Sequence, residues 1–191
     1  MIAGHFGFAA MVKSRERTSP LWALMFATVW LDIVFIPLLV AHVETVESLH
    51  THPGYGGVII HADWTHSLLG MLVLSALLGL CFLPKWGARV ATVVGVVAAS
   101  HWVLDLLVHR HDMPFLPENA GHLPRLGFGL WAHPEVSACL ELLLVLAGAA
   151  MYWSTARRVS QEAGQSGKWP AISASLIAIF GLLVLYMDYT A

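Results

Sequence analysis

Charge is what this sequence has least of. Of its 191 residues only 12% are Asp, Glu, Lys or Arg, against 58% that are hydrophobic. A soluble domain carries about a quarter charged residues, so an ordinary soluble globular chain is excluded. Neither sign dominates. The formal net charge is −2, and no nucleic acid is expected as a partner. Cysteine is almost missing. Cys81 and Cys139 lie in different apolar runs and are expected as small core residues rather than as a disulfide. No basic segment precedes the first apolar stretch: Lys13, Arg15 and Arg17 follow residues 1–12, so no cleavable signal peptide is expected. No internal repeat is evident, and an inverted-repeat transporter is therefore not suggested.

Long apolar runs are what the sequence does have. Segments near 20 apolar residues recur, the length a helix needs to cross a bilayer. They predict an all-α, polytopic integral membrane protein, one transmembrane domain over residues 1–191 in contact with membrane lipids. About five spans are expected, at 21–41, 58–83, 88–109, 134–153 and 169–189, with Pro37 a possible kink in the first. Residues 1–12 are apolar but too short to span; they read as an interfacial or re-entrant helix carrying His5. Residues 42–57 form a polar loop with Glu44, Glu47, His50, His52 and a turn at Pro53-Gly54, and His42, His50 and His52 are expected to be solvated. A proline-rich loop follows residue 109, and such loops often carry function. Basic residues fix the orientation. Lys13, Arg15, Arg17, Lys85, Arg89, Arg157, Arg158 and Lys168 fall on one face and only Arg110 and Arg125 on the other, which predicts a cytoplasmic N-terminus and an outer C-terminus.

Histidine is the compositional oddity, with 11 residues against 10 Lys and Arg together. That ratio points to metal, haem or proton chemistry. The densest stretch is Ser100-His101-Trp102-Val103-Leu104-Asp105-Leu106-Leu107-Val108-His109, where His101, Asp105 and His109 recur every four residues along one helix face. Counting from the basic collars at 1.5 Å per residue sets Asp32 about 22 Å up, His101 about 18 Å, Asp105 and Glu141 about 24 Å, and His66 about 28 Å. Four spans thus contribute ionisable groups to one layer in the outer half of the bilayer. His61, His109, His111 and Asp112 are expected just above it, at the outer mouth. Such groups are costly in lipid and should meet inside the bundle. His with carboxylate is the ligand set of a catalytic zinc or non-haem iron site. The His-x-x-x-Asp pair could supply two ligands, or one ligand and its orienting carboxylate. A buried polar network fixing helix packing is the alternative.

These motifs carry a resemblance. Gly4-His5, Asp32, Thr65-His66-Ser67-Leu68 and His101-x-x-x-Asp105 resemble the bacterial membrane-bound metal-dependent hydrolases, the LexA-binding inner-membrane hydrolase-like family, over roughly residues 1–115. The chain has one Asp in the first acidic motif, where the family pattern has two after a proline, and Asp63-Trp64 in place of a basic residue before the Thr-His-Ser. The resemblance implies a hydrolase of the bacterial inner membrane. Together with the shared layer it gives a metal site of His5, Asp32, His66, His101 and Asp105, most simply for zinc, with Glu141 or Asp63 as general base and a small-molecule or lipid-like ester or phosphoester as substrate. The residues leave two other functions open: a b-type haem redox protein with His66 and His101 as axial ligands, and a small metal or proton transporter.

Overall fold

The computed structural model describes residues 1–49 and 57–190. His50, His52 and the Pro53-Gly54 turn lie outside the described residues. The fold is all-α, with six α-helices among the described residues: α1 (Ile2–Arg15), α2 (Leu21–Thr28), α3 (Trp30–Val40), α4 (Leu68–Val108), α5 (Pro134–Glu162) and α6 (Lys168–Thr190). Three of them, α4, α5 and α6, are long and apolar enough to cross a membrane, and the bent pair α2 and α3 makes a fourth candidate. Large apolar side chains stay exposed on their outer faces, among them Leu72, Val96, Leu143, Leu176 and Leu183. A lipid-facing belt accounts for such a surface; water would not tolerate one of this extent.

α4 is folded back on itself. Gly87 sits at φ 77° and ψ 170°, a left-handed turn that costs glycine little and other residues much. A Cβ on Gly79 would come within 2.8 Å of the Ala91 carbonyl, and one on Gly95 within 3.1 Å of that of Ser75. In an unbroken 41-residue helix, about 60 Å long, those residues would be far apart. The two halves therefore run antiparallel in close contact. Ala9 of α1, with Ala23, Leu24 and Ala27 of α2, packs with Leu78, Val94 and Val97 of the two halves.

The helix expected from Val58 starts only at Leu68. Val58–His61 is instead a strand, β2, paired antiparallel with β1 (Thr45–Ser48) so that Thr45 faces His61 and Ser48 faces Val58. The β-branched run Val58-Ile59-Ile60 favours this form. Ser67 is the N-cap of α4, its hydroxyl accepting the Gly70 N–H at 3.0 Å, the usual remedy for an unpaired first-turn donor. Pro37 is not where the first span breaks. α2 and α3 meet at 46° across Val29, whose φ of −115° and ψ of 15° leave the helical range.

α1 packs into the bundle. Its Ala3, Gly4, His5, Gly7, Ala9 and Ala10 are buried, and it crosses α5 at glycine. A Cβ on Gly7 would lie 2.4 Å from the Leu144 carbonyl, and one on Gly148 2.1 Å from that of Gly7. Only two glycines let the backbones approach so closely. Cys81 and Cys139, expected in the core, are free thiols on exposed positions. His42, exposed, lies at φ 57° just beyond α3.

Candidate metal centre

Five side chains converge where α1, α3 and the α4 hairpin meet. His66 arrives on the turn before α4, His101 and Asp105 on its returning half, Asp32 in the first turn of α3 and His5 in the first turns of α1. His5, His66, His101 and Asp105 are buried, while the Asp32 side chain keeps 34% of its surface exposed. Two sets of donor atoms lie close enough to hold one metal ion: His5, His101 and Asp105, and Asp32, His66 and His101. All five residues expected as ligands from the sequence are in this cluster.

Several donor separations have the size of a coordination-sphere edge. Nε2 of His66 and of His101 are 3.3 Å apart, and Oδ1 of Asp32 is 3.6 and 3.5 Å from them. Oδ2 of Asp105 is 3.0 Å from His101 Nε2 and 3.7 Å from His66 Nε2. A regular tetrahedron with ligand bonds of 2.0–2.2 Å has edges of about 3.3–3.6 Å. His5 lies alongside, its ring stacked on His101 at 3.9 Å, with Nε2 3.1 Å from the other Asp105 oxygen and Nδ1 buried without a partner among the described residues.

The outward nitrogens fix how these rings present themselves. His101 Nδ1 lies 2.8 Å from the Thr28 carbonyl, which can only accept, so Nδ1 carries the proton and a neutral His101 turns its Nε2 lone pair inward. Thr28 ends α2, and its hydroxyl also donates to the His5 carbonyl at 3.0 Å. His66 Nδ1 lies 2.8 Å from the Thr65 hydroxyl. That hydroxyl is within 3.1 Å of both oxygens of the Glu44 carboxylate, which also accepts the Trp64 and Thr65 N–H groups at 2.8 Å. With Thr65 donating to Glu44, its oxygen accepts from His66 Nδ1–H, and the His66 Nε2 lone pair also points inward. Metal-binding histidines are held in this way, with the distal N–H tied to a carboxylate, carbonyl or hydroxyl. Lone pairs and carboxylate oxygens this close repel one another unless positive charge sits among them, as a metal ion or as protons on the rings.

Two residues at the site were not expected there. Glu44, placed in a polar loop, is buried. His109, placed at the outer mouth, is also buried, with Nε2 3.8 Å from Asp105 Oδ2 and Nδ1 3.0 Å from Asp112 Oδ1. Trp131 covers it at 4.3 Å between ring centres. The Trp102 indole N–H donates to the His66 carbonyl at 2.7 Å.

The two residues expected as bases stand differently. Glu141 is fully buried and accepts the Gly4 N–H at 3.0 Å, supplying an acceptor to the first turn of α1. Asp63 is held by both nitrogens of the Arg125 guanidinium, at 2.6 and 2.8 Å. That hydrogen-bonded pair pushes the Arg125 guanidinium above its ordinary value. Arg125 also donates to the Asp112 carbonyl at 2.7 Å, joining the segment before His66 to the one after His109. His61 pairs with Glu47 on the hairpin at 3.7 Å, and His111 is exposed.

Comparison with family models, curated proteins and solved structures finds no match to this chain.

Proposed function

We propose that this chain is a membrane-embedded, metal-dependent hydrolase, as its resemblance to the bacterial inner-membrane family suggests. The observation that carries the reading is the close grouping of His66 and His101 Nε2 with an oxygen of Asp32 and one of Asp105, with two of the rings turned inward by Glu44–Thr65 and by Thr28. Zinc suits this mixed nitrogen and oxygen set. Counting the two halves of α4 separately, and α2 with α3 as one, gives five passes. With the basic collar inside, the centre then lies in the outer half of the bilayer.

A bound divalent ion would supply Lewis-acid polarisation and an acidified water. The remaining work falls to the chain. Asp32 is the cluster member with substantial exposure, and the chain can meet a substrate there. The Asp32 oxygen other than Oδ1 takes the proton from the attacking water as the new bond forms to the ester carbon or phosphorus and the bond to the leaving oxygen breaks. The leaving oxygen is then reprotonated from the same group. Asp63 and Glu141 support the structure in this scheme, because each is already engaged elsewhere. A site at this depth, in a lipid-facing bundle, suits a lipid-like ester or phosphoester.

A proton or metal transporter is the second reading. The continuous chain of buried polar contacts from Glu44 through Thr65, His66 and His101 to Asp105 and His5 favours it. A haem between His66 and His101 fits less well: the macrocycle needs a plane between its axial nitrogens, and two carboxylates crowd that space. Elemental analysis of detergent-purified protein beside His66→Ala and Asp105→Ala tests the proposal. About one zinc per chain, lost in both variants, together with turnover of a lipid ester or phosphoester, is expected. Metal-free protein purified without chelator defeats the reading and turns attention to vesicle flux.

A further inference from the structure

The opposite end of the bundle holds a concave site. A cavity of about 280 Å³ opens between α1, α5 and α6, lined by Lys13, Arg17, Tyr152, Val159, Trp169 and Ser173 among others. We propose that it binds the phosphate of an anionic phospholipid. Three observations point the same way, and none depends on the metal centre.

First, the cations there are under-used. The Lys13 ammonium donates to the Arg17 and Ser19 carbonyls at 2.9 and 2.8 Å, which engages two of its three donors. Arg17 meets Glu162 only at 4.0 Å, with both side chains more than half exposed, a contact worth little in water and easily yielded to a phosphate. Second, Tyr152, Thr155, Ser160 and Ser173 line the same space, and hydroxyls of this kind donate to phosphate oxygens. Third, the cavity borders an apolar face. Trp169, Ile172 and Leu176 are exposed along the adjoining turns of α6, where acyl chains would lie below a bound headgroup. Basic pockets between membrane helices, at the face bearing the positive collar, are a known way to hold anionic headgroups. A free phosphate would satisfy the cations but leave that apolar flank unused.

The test uses the full chain in an uncharged detergent, read by native mass spectrometry. It is offered phosphatidylglycerol, phosphatidylcholine or inorganic phosphate. One phosphatidylglycerol retained per chain, in preference to phosphatidylcholine and not displaced by millimolar phosphate, is expected. Arg17→Gln should weaken that retention about fivefold, the effect of one cation at a membrane surface. Ser173→Phe, which fills the cavity, should weaken it at least as much, with the thermal midpoint of both variants close to wild type. Equal retention of the two lipids overturns the proposal. So does displacement by inorganic phosphate, which would make this a soluble-anion site, and so does wild-type retention in both variants.

Discussion

The returning half of α4 and the whole of α6 look alike as apolar helices. The most apolar stretches of α4 as a whole and of α6 have mean hydropathies of 2.0 and 2.1, yet the returning half of α4 and α6 do opposite things. The α4 half buries His101 and Asp105 and packs on α1, α2 and its own outgoing half. α6 fully buries only Pro170, Ala174 and Gly181, leaves Ile177, Val184 and Leu185 half-buried, and exposes Trp169, Ile172, Leu176, Leu183 and Met187. Hydropathy therefore says which segments enter a membrane but not which face protein. The placement of a few polar and small residues says that. Carboxylates and histidines deep in the bundle identify the helix face that has protein neighbours, whereas a stretch whose only carboxylate lies at its end, as Asp188 does in α6, leaves much of its surface free to meet lipid.

Substitutions can break this contrast, and the largest effect is expected at its centre. Asp105→Ala removes the one group that contacts His5, His101, His66 and His109 together. Metal content should fall to background, and the chain should lose about 3–5 kcal/mol of stability, the cost of leaving buried partners uncompensated. Leu183→Ala on α6 should change both by little. Thermal unfolding followed by elemental analysis reads the two variants side by side, and equal effects would erase the distinction. Next comes Gly7→Val, which forces α1 off the Leu144 backbone and carries His5 with it. A loss of about 1–3 kcal/mol is expected, and weaker metal retention with His5 itself unaltered. Thr65→Val follows: it keeps the shape of residue 65 but cuts the link from Glu44 to His66. Metal affinity, read by competition with a chelator, should drop about 10- to 100-fold; an unchanged affinity would leave Glu44 with a packing role only.

The smallest effect is expected at the far end, where Arg89 pairs with Glu16 at 2.7 Å. The Thr18 hydroxyl, with Arg89 beside it, holds the Glu16 carboxyl down at about 2, from an ordinary 4.5. A depressed acid contributes its full stability above the unfolded value and loses it as pH falls through the folded one. Arg89→Ala should therefore cost no more than about 1 kcal/mol near neutrality, and the difference from wild type should vanish between pH 4.5 and about 2. A difference that persists at the acid end would contradict the pairing.

Much of the centre could be read in advance because depth in a membrane is nearly a linear count. Asp32, His66, His101 and Asp105 were gathered by adding residues from the basic collars, and the structure brings them together with His5. The failures have physical causes. His109 was set one turn too high because the count follows Cα atoms, whereas helical side chains lean toward the N-terminus. Its ring thus reaches back toward Asp105. Glu44 was missed because its burial depends on contacts 20 and 21 residues away, to Trp64 and Thr65, and nothing local in a polar loop announces them. The late start of α4 was legible after all: three β-branched residues followed by Thr-His-Ser spell a strand and then a cap.

The reversal at Gly87 makes the α4 hairpin a pair of calipers. His66 and Asp105 each lie about twenty residues from that pivot, so the jaws of the candidate metal centre are set from roughly 30 Å away. Changing the residues of the pivot leaves the gap unaltered as long as the chain still turns there. Adding or removing a single residue in either arm would rotate its jaw by about 100° and slide it 1.5 Å, pointing His66 or Asp105 away from its partners. The length of each arm is thus as much a part of the centre as the histidines it carries.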